Sequence, residues 1–290
     1  MTRETRFGAR TFTWGERTFV MGILNATPDS FSGDGLMADA GRDAVGRAVE
    51  QARSMAAEGA DLLDVGGEST RPGHEPVTLA EELARVVPVV RGVRAALPEL
   101  PISVDTTKPE VAEAALQAGA DAINDISGVS PDDTLARIAS ARGVPIILMH
   151  NRAEPVYRDL VGEVLGDLRG AVEKARRAGV RDDAILIDPG IGFGKTAAHN
   201  LELLRNLGRL RELGFPILLG TSRKSTLGRV LDLPVEERLE ATLATTALGI
   251  AGGADIVRVH DVRANVRAAR VSDAIVRGTW RVPPQAGEPT

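Results

Sequence analysis

The sequence contains no cysteine among its 290 residues. Disulfides, thiolate metal sites and a cysteine nucleophile are therefore excluded. No run of apolar residues approaches the roughly 18 that a membrane-spanning helix needs, and the N-terminal segment lacks the apolar core of a secretory signal. We therefore expect a cytoplasmic protein with no membrane partner.

Positive charge is not in excess, because the net charge is −5 and the isoelectric point is near 5.5. This balance argues against a nucleic-acid partner. Lysine is scarce and occurs only at Lys108, Lys174, Lys195 and Lys224. Since arginine supplies the general surface charge, a lysine in a loop is a candidate for a specific role.

The hydrophobic content of 43% is enough for a sizeable core. Short apolar runs alternate with amphipathic helical patterns along nearly the whole chain. Eight runs are predicted as strands: 18–24, 61–66, 101–105, 121–126, 144–150, 184–189, 215–220 and 255–260. Eight strands, each followed by a helix, favour an α/β fold with a single (β/α)8 TIM barrel over residues 1–280. An open doubly wound sheet is the alternative.

The two ends of the chain have their own predictions. Residues 1–17 alternate in polarity around a turn-like Gly15, which indicates a short β-hairpin covering the barrel floor. The tail, residues 281–290, is rich in Pro and Gly, and we expect it to be disordered.

The stretch "DPGIGFGKT", residues 188–196, resembles a nucleotide-binding loop at first sight. A phosphate-cradling loop needs four residues between its first glycine and Gly-Lys-Thr, but the fifth position before Gly194 is Pro189, which has no N–H to donate. The dinucleotide pattern fails too, since the glycines read GxGxG. We therefore predict no phosphate loop here and expect Lys195 to be an incidental residue at a helix start.

Polar and charged residues concentrate where the predicted strands end, which is where barrel enzymes carry their chemistry. Each one alone is more simply explained as a helix cap or a turn former. Gathering all of them at one barrel mouth would cost free energy unless a polar ligand binds there. They are Asn25, Asp64, Glu68, Asp105, Asn124, Asp125, His150, Asp188, Lys224, Arg258 and His260.

This mixture limits the ligand. The first strand ends without the His-x-His pair of many barrel metallohydrolases, so the metal signal is weak. Acids beside amides and one lysine suit a flat heterocycle with donors and acceptors along its edge, and Arg258 with His260 suits a phosphate.

Two predicted loops, 25–40 and 66–78, are longer than barrel connections require and are rich in Gly, Pro, Ser and Asp. They could be solvated surface loops, but long structureless loops on this face of a barrel usually serve function. We interpret them as lids over the barrel mouth.

The motifs "GILNATPDSFSGDG", "DVGGESTRPG", "SVDTTK", "INDISG", "LMH", "DPGIGFGK", "TSRKS" and "RVHDV" together resemble the dihydropteroate synthases, the pterin-binding barrels of folate biosynthesis. The resemblance covers nearly all of residues 18–277. It implies a transferase, a homodimer, that joins 6-hydroxymethyl-7,8-dihydropterin diphosphate to 4-aminobenzoate with the help of Mg²⁺.

The resemblance also implies roles for single residues. The pterin site would comprise Asp105, Asn124, Asp188 and Lys224; the diphosphate site would comprise Asn25, Thr70, Arg258 and His260. Asn25 would also reach the Mg²⁺. The 4-aminobenzoate site would comprise Phe31, Arg71, Pro72 and Ser225, and the catalytic groups would be Asp34, Arg71 and Lys224.

One departure from the family pattern falls in the first long loop. The family commonly places an Asp two residues after the Phe, whereas here Asp34 follows Phe31 by three positions. Two alternatives stay open: a barrel that moves a methyl group from methyltetrahydrofolate to a corrinoid, and a non-catalytic paralogue that only binds pterin.

Overall fold

The computed structural model describes residues 4–26, 40–68, 77–128 and 133–280, with only the backbone for 40–43. Strands β1 (Glu4–Phe7) and β2 (Arg10–Thr13) form an antiparallel hairpin, which confirms the predicted one. Its turn lies at Gly8 and Ala9, not at Gly15. Gly8 has a φ of 55°, and a Cβ there would meet the Asp121 carboxylate at 2.3 Å, so this turn requires glycine.

All eight predicted strands are present in one parallel sheet. They are β3 (Phe19–Asn25), β4 (Leu62–Gly66), β5 (Ile102–Asp105), β6 (Ala122–Asp125), β7 (Ile146–Met149), β8 (Ile185–Asp188), β9 (Leu218–Leu219) and β10 (Ile256–Val259). The spatial order is β8-β7-β6-β5-β4-β3-β10-β9. A parallel bridge between Ile187 and Ile217 joins the two ends of the sheet, so the barrel prediction is confirmed over the open-sheet alternative.

Helices connect the strands and form the outer layer. They are α1 (Ala40–Ala57), α2 (Leu79–Ala96), α3 (Pro109–Ala118), α4 (Thr134–Arg142), α5 (Leu160–Arg177), α6 (Ala197–Arg205), α7 (Ser225–Leu231), α8 (Leu239–Ala251) and α9 (Val262–Val276). Short 3₁₀ helices follow at Asp182–Ala184, Leu207–Leu213 and Val235–Glu237. No helix in the described ranges is long and apolar enough to cross a membrane.

The hairpin closes the floor of the barrel. The Phe12 ring stacks on Phe19 at 4.2 Å between ring centroids, and Trp14 donates its indole N–H to Thr5 at 3.0 Å. Thr5 in turn donates to the carbonyl of Asp183 at 2.7 Å. The apolar floor layer comprises Phe7, Phe12, Trp14, Phe19, Met21, Leu62, Ala122, Ile147, Leu186, Leu218 and Ile256. Burial of these side chains gives the barrel a dry base.

A polar layer lies directly above this floor because side chains two residues apart on a strand point to the same side. Each of four strands places an apolar floor residue two positions before a polar one. The pairs are Leu62 and Asp64, Ala122 and Asn124, Leu186 and Asp188, and Ile256 and Arg258. The barrel geometry therefore aims the polar ends of these strands into one mouth. The predicted tail, 281–290, lies outside the described residues, and the boundary at residue 280 stays a prediction.

Candidate active site

Asp64 organises the polar layer at the base of the barrel mouth. Its side chain is fully buried and accepts hydrogen bonds from Ser103 Oγ, from Asn124 Nδ2 at 2.9 Å and from Arg258 Nε at 2.6 Å. These three donors replace the hydrogen bonds that solvent would give to an exposed carboxylate. Asp64 therefore fixes the orientation of Asn124 and Arg258.

Two oxygen atoms of this layer are buried without a partner among the described residues. Within the described ranges, Asp105 Oδ1 and Asn124 Oδ1 are buried and accept no hydrogen bond. Asp105 Oδ2 and Asn124 Nδ2 are already held, by Arg258 Nη2 at 2.7 Å and by Asp64 at 2.9 Å. Buried acceptors left unsatisfied are costly, so their orientation indicates a ligand that donates hydrogen bonds.

Three ionisable groups of the mouth have pKa values shifted toward their neutral forms. Burial raises the pKa of Asp105 to about 7 against the pull of Arg258, with Asp64 and Glu82 adding to the rise. Burial likewise raises the pKa of Asp188 and lowers the pKa of Lys224 to about 8. Such perturbed groups, gathered in one cleft, are typical of a functional site.

Asp188 ends β8 and is followed by a turn built on three glycines. Its Oδ1 accepts the N–H of Gly190 at 2.7 Å, while the N–H of Gly192 goes to Asn200 Oδ1 at 2.8 Å. Gly190 and Gly194 have φ values of 66° and 56°, and a Cβ at either would lie within 2.2 Å of a carbonyl oxygen. The N–H groups of Gly190 and Gly192 are therefore both used inside the protein.

Lys224 precedes α7 and reaches over this loop. Its ammonium donates to the carbonyl of Ile191 and lies 4.5 Å from the centroid of the Phe193 ring. The preceding residue, Arg223, has a φ of 56°, which is unusual for a side chain larger than glycine. Arg223 is held there by Asp261, whose Oδ2 accepts from Nε at 2.9 Å. This clamp fixes the backbone from which Lys224 extends.

Lys195 is not the incidental residue that the sequence suggested. It lies two residues before the first residue of α6, and its ammonium contacts His150 Nδ1 at 2.8 Å, the Phe193 carbonyl at 2.9 Å and the Gly190 carbonyl at 3.0 Å. Burial lowers the pKa of Lys195 to about 7, with Lys224 and Arg152 adding to the fall. The spacing of the motif could not reveal where the Lys195 side chain points.

The structure places the diphosphate candidates at neighbouring strand ends. Asn25 ends β3 and pairs in register with Gly66 of β4. His260 follows β10, and its Nδ1 lies 2.9 Å from Ser222 Oγ. Arg258 extends inward from β10 onto Asp64 and Asp105. Ser225, predicted for the 4-aminobenzoate site, is the exposed first residue of α7. These assignments stay predictions.

Five predicted site residues fall outside the described ranges, namely Phe31, Asp34, Thr70, Arg71 and Pro72. Among the described residues, no three acidic, His or Cys side chains group as a metal cage. Two other strand-end residues have plain structural roles. Glu68 pairs with Lys108 at 2.6 Å, and Asp125 accepts from the backbone N–H of Ser127 at 2.9 Å.

A groove of about 970 Å³ opens at the other end of the barrel, between the hairpin and the starts of β3 and β4. Arg17 and Asp61 line it and bind each other at 2.6 Å, so these two charges are already paired. The two orphan oxygens lie at the opposite end, together with the shifted groups Asp105, Asp188 and Lys224. We therefore assign the chemistry to the mouth despite the size of the groove.

Comparisons with known proteins show the family and the fold of the chain. A family profile described as "Pterin binding enzyme" matches residues 21–260. A dihydropteroate synthase from Clostridium beijerinckii is 51% identical over 94% of this chain and 99% of its own length. A solved dihydropteroate synthase from Xanthomonas albilineans with 4-aminobenzoic acid is 42% identical, with a TM-score of 0.87 over 95% of this chain and 98% of that one.

The chain belongs to the dihydropteroate synthase family. The same Xanthomonas albilineans enzyme has also been solved in complex with 7,8-dihydropteroate, and that chain matches with 42% identity and a TM-score of 0.84 over 94% of this chain and 98% of its own length. The family and fold implied by the motifs are thereby confirmed. The corrinoid methyltransferase alternative finds no support among these relatives.

Proposed function

We propose that the barrel mouth joins 6-hydroxymethyl-7,8-dihydropterin diphosphate to 4-aminobenzoate, forming 7,8-dihydropteroate and pyrophosphate. As a member of its family, the chain is a transferase of folate biosynthesis. The observation that carries the proposal is the pair of buried, unpartnered oxygens of Asp105 and Asn124 beside Asp188 and Lys224.

The pterin ring supplies the groups that these atoms lack. Its aminopyrimidine edge carries N–H donors for the Asp188 carboxylate, and its carbonyl and ring nitrogen accept from Lys224. The remaining ring N–H groups suit the oxygens of Asp105 and Asn124. Gly190 and Gly194 let the turn after Asp188 pack directly against the carbonyls of His150 and Arg152, which sets the wall of the pocket beside Asp188.

The diphosphate is assigned to Asn25, Thr70, Arg258 and His260. An Mg²⁺ ion carried by a diphosphate keeps most of its ligands from phosphate and water, so one protein oxygen suffices. The Asn25 side-chain oxygen, at the end of β3, fits that need, and the lack of a carboxylate cage among the described residues agrees with it. When bound, the ion would supply charge neutralisation to the leaving group.

Residues of both long loops are assigned to the chemical steps of the reaction. The methylene attached to the pterin can lose its diphosphate before the amine attacks, because the ring nitrogens spread the developing positive charge. We assign Asp34 to stabilise that cation, Arg71 to the leaving group, and Lys224 to the pterin ring. Phe31, Arg71, Pro72 and Ser225 are assigned to 4-aminobenzoate.

A homodimer is also proposed, and the outer helices support it. Leu248 on α8 and Val271, Ile275 and Val276 on α9 are 47–78% exposed although they are large and apolar. Exposed apolar residues gathered on adjoining helices are typical of interfaces between subunits. Light scattering of the purified protein tests this, and a monomer at micromolar concentration would contradict it. The cytoplasmic location rests on the sequence alone.

Product formation is the direct test of the activity. The purified chain with both substrates and Mg²⁺ should release pyrophosphate and 7,8-dihydropteroate in equal amounts. Removing the metal with EDTA should suppress turnover, and added Mg²⁺ should restore it. Binding of the pterin substrate without any turnover would instead support the non-catalytic paralogue.

A further inference from the structure

We infer that Lys195 is a positioning residue for the pterin pocket, acting from beneath the 190–193 turn to set Asp188 and Lys224. The inference rests on the proposed function, since it assigns a task to the same site. None of the pterin, diphosphate or 4-aminobenzoate assignments includes Lys195. Its place in the structure gives it this role.

The ammonium of Lys195 lies at the centre of the turn. It donates to the carbonyls of Gly190 and Phe193 at 3.0 and 2.9 Å and to His150 Nδ1 at 2.8 Å. The His150 carbonyl is a fourth and longer contact at 3.4 Å, so the acceptors around the ammonium outnumber its three N–H donors. Lys195 therefore ties both ends of the 190–193 segment to the strand end at His150.

The same segment holds the two charged groups assigned to the pterin. The N–H of Gly190 fixes one oxygen of Asp188 at 2.7 Å. The carbonyl of Ile191 accepts from Lys224, and the Phe193 ring lies 4.5 Å from the Lys224 nitrogen. A glycine-rich turn loses more conformational entropy on ordering than other sequences, so it needs such a brace to hold one geometry.

His150 is held in one orientation and so fixes the position of the Lys195 ammonium that contacts it. The ring is 1% exposed, and its Nε2 lies 3.1 Å from Asp167 Oδ2, which Arg152 Nε also holds at 2.9 Å. Burial lowers the pKa of His150 to about 4, and Lys195 adds to the fall, so the ring is neutral at physiological pH. The bonding assigns the proton to Nε2, which leaves Nδ1 as the acceptor for Lys195.

Other contacts hold the turn in the fold without Lys195. Tyr157 donates its hydroxyl to the Gly194 carbonyl at 2.8 Å, and Asn200 accepts from the N–H of Gly192 at 2.8 Å. A Lys195 variant should therefore fold, with the turn present but loosely set. This allows binding to be separated from stability.

The test compares Lys195→Met, which keeps the length and removes the donors, with Arg94→Met. Arg94 is a matched control because it also binds backbone carbonyls, those of Pro98 at 2.6 Å and Gly119 at 3.0 Å, but at the opposite end of the barrel. The Kd for the pterin diphosphate should rise at least tenfold in Lys195→Met and stay within twofold in Arg94→Met. The KM for 4-aminobenzoate should stay within twofold in both.

A second pair of variants keeps the Lys195 charge and changes only its partner. His150→Asn retains an acceptor in the place of Nδ1, whereas His150→Gln retains one in the place of Nε2. Pterin affinity should fall more in His150→Gln than in His150→Asn. Equal pterin affinity in wild type, Lys195→Met and His150→Gln would overturn the inference. Failure of the wild type to form product would overturn the proposed function instead. The pterin Kd values of the variants would still show whether Lys195 positions the pterin pocket.

Discussion

Replacing Asp188 by Asn changes the chemistry of the pocket and preserves its shape. The Asp188 side chain is 6% exposed, and one oxygen accepts the Gly190 N–H at 2.7 Å. In Asp188→Asn the amide oxygen will keep that bond, because the N–H can only donate. The amide NH₂ then takes the place of the second carboxylate oxygen and points a donor at the donor edge of the pterin.

The loss of affinity follows from the bonds exchanged. A hydrogen bond to a charged group contributes about 1.5–3 kcal/mol, and a buried donor left facing another donor costs about 1–3 kcal/mol. A combined loss of about 3 kcal/mol corresponds to a rise in Kd of more than about 100-fold, at about 1.4 kcal/mol per factor of ten.

The stability of Asp188→Asn at neutral pH should not fall as its pterin affinity does. The pKa of Asp188 is raised in the folded protein by burial, so the folded state binds this proton more tightly than the unfolded chain. Stability therefore falls as the pH rises from the unfolded pKa through the folded one, and at neutral pH the ionised carboxylate is a net cost. Asp188→Asn should be at least as stable as wild type near pH 7, with no such gain in strong acid.

Calorimetry with the pterin diphosphate, in the absence of 4-aminobenzoate, measures the first effect, and urea unfolding at two pH values measures the second. Affinity within threefold of wild type would remove Asp188 from the pterin site. A large loss of stability at pH 7 would show that the carboxylate serves the fold, and the affinity argument would fail with it.

Four further variants, in three predictions, test the rest of the site. Asn124→Leu should raise the pterin Kd about tenfold and cost about 1–2 kcal/mol in urea unfolding, since it removes an orphan acceptor and a bond to Asp64; unchanged affinity would contradict this. The kcat/KM for the pterin substrate should fall above about pH 8, because Lys224 loses its proton there. Lys224→Arg should abolish that decline. If kcat/KM of the variant still falls at the same pH, Lys224 is not the source of the decline. Asp34→Ala should strongly lower the rate of the chemical step in single turnovers and change pterin affinity only a few-fold. If Asp34 has no role, Asp29→Ala should give that result instead. A wild-type rate in both variants would exclude a carboxylate of this loop as the group that stabilises the cation.

The barrel was predictable from the sequence because its signals are local. Each strand is a short apolar run, and strand ends such as Asp188 mark the mouth of any parallel barrel. Two of the strand-end candidates, Asn124 and Arg258, stand two positions after apolar floor residues, so strand periodicity predicts that they point inward. Their assignment to the pterin and to the diphosphate came from the family resemblance.

The interactions among these residues were not predictable, because they depend on long-range placement. Asp64 lies 194 positions from Arg258 and 60 from Asn124, and only barrel closure brings their side chains together. The hairpin turn was misplaced at Gly15 because Gly8 is required by Asp121, a contact with the barrel wall. Lys195 was misjudged for the same reason, since its main partner is the distant His150.

The barrel mouth keeps ionisable groups whose charged forms are disfavoured by burial. Burial raises the pKa values of Asp105 and Asp188 and lowers that of Lys224, so each group is held against its charged form. Asp64 accepts from Asn124 and Arg258, but no described residue donates to Asp105 Oδ1 or Asn124 Oδ1. Under the proposed assignment, the N–H groups of a pterin would supply these donors. Satisfying two buried acceptors would then contribute directly to the affinity for the ring.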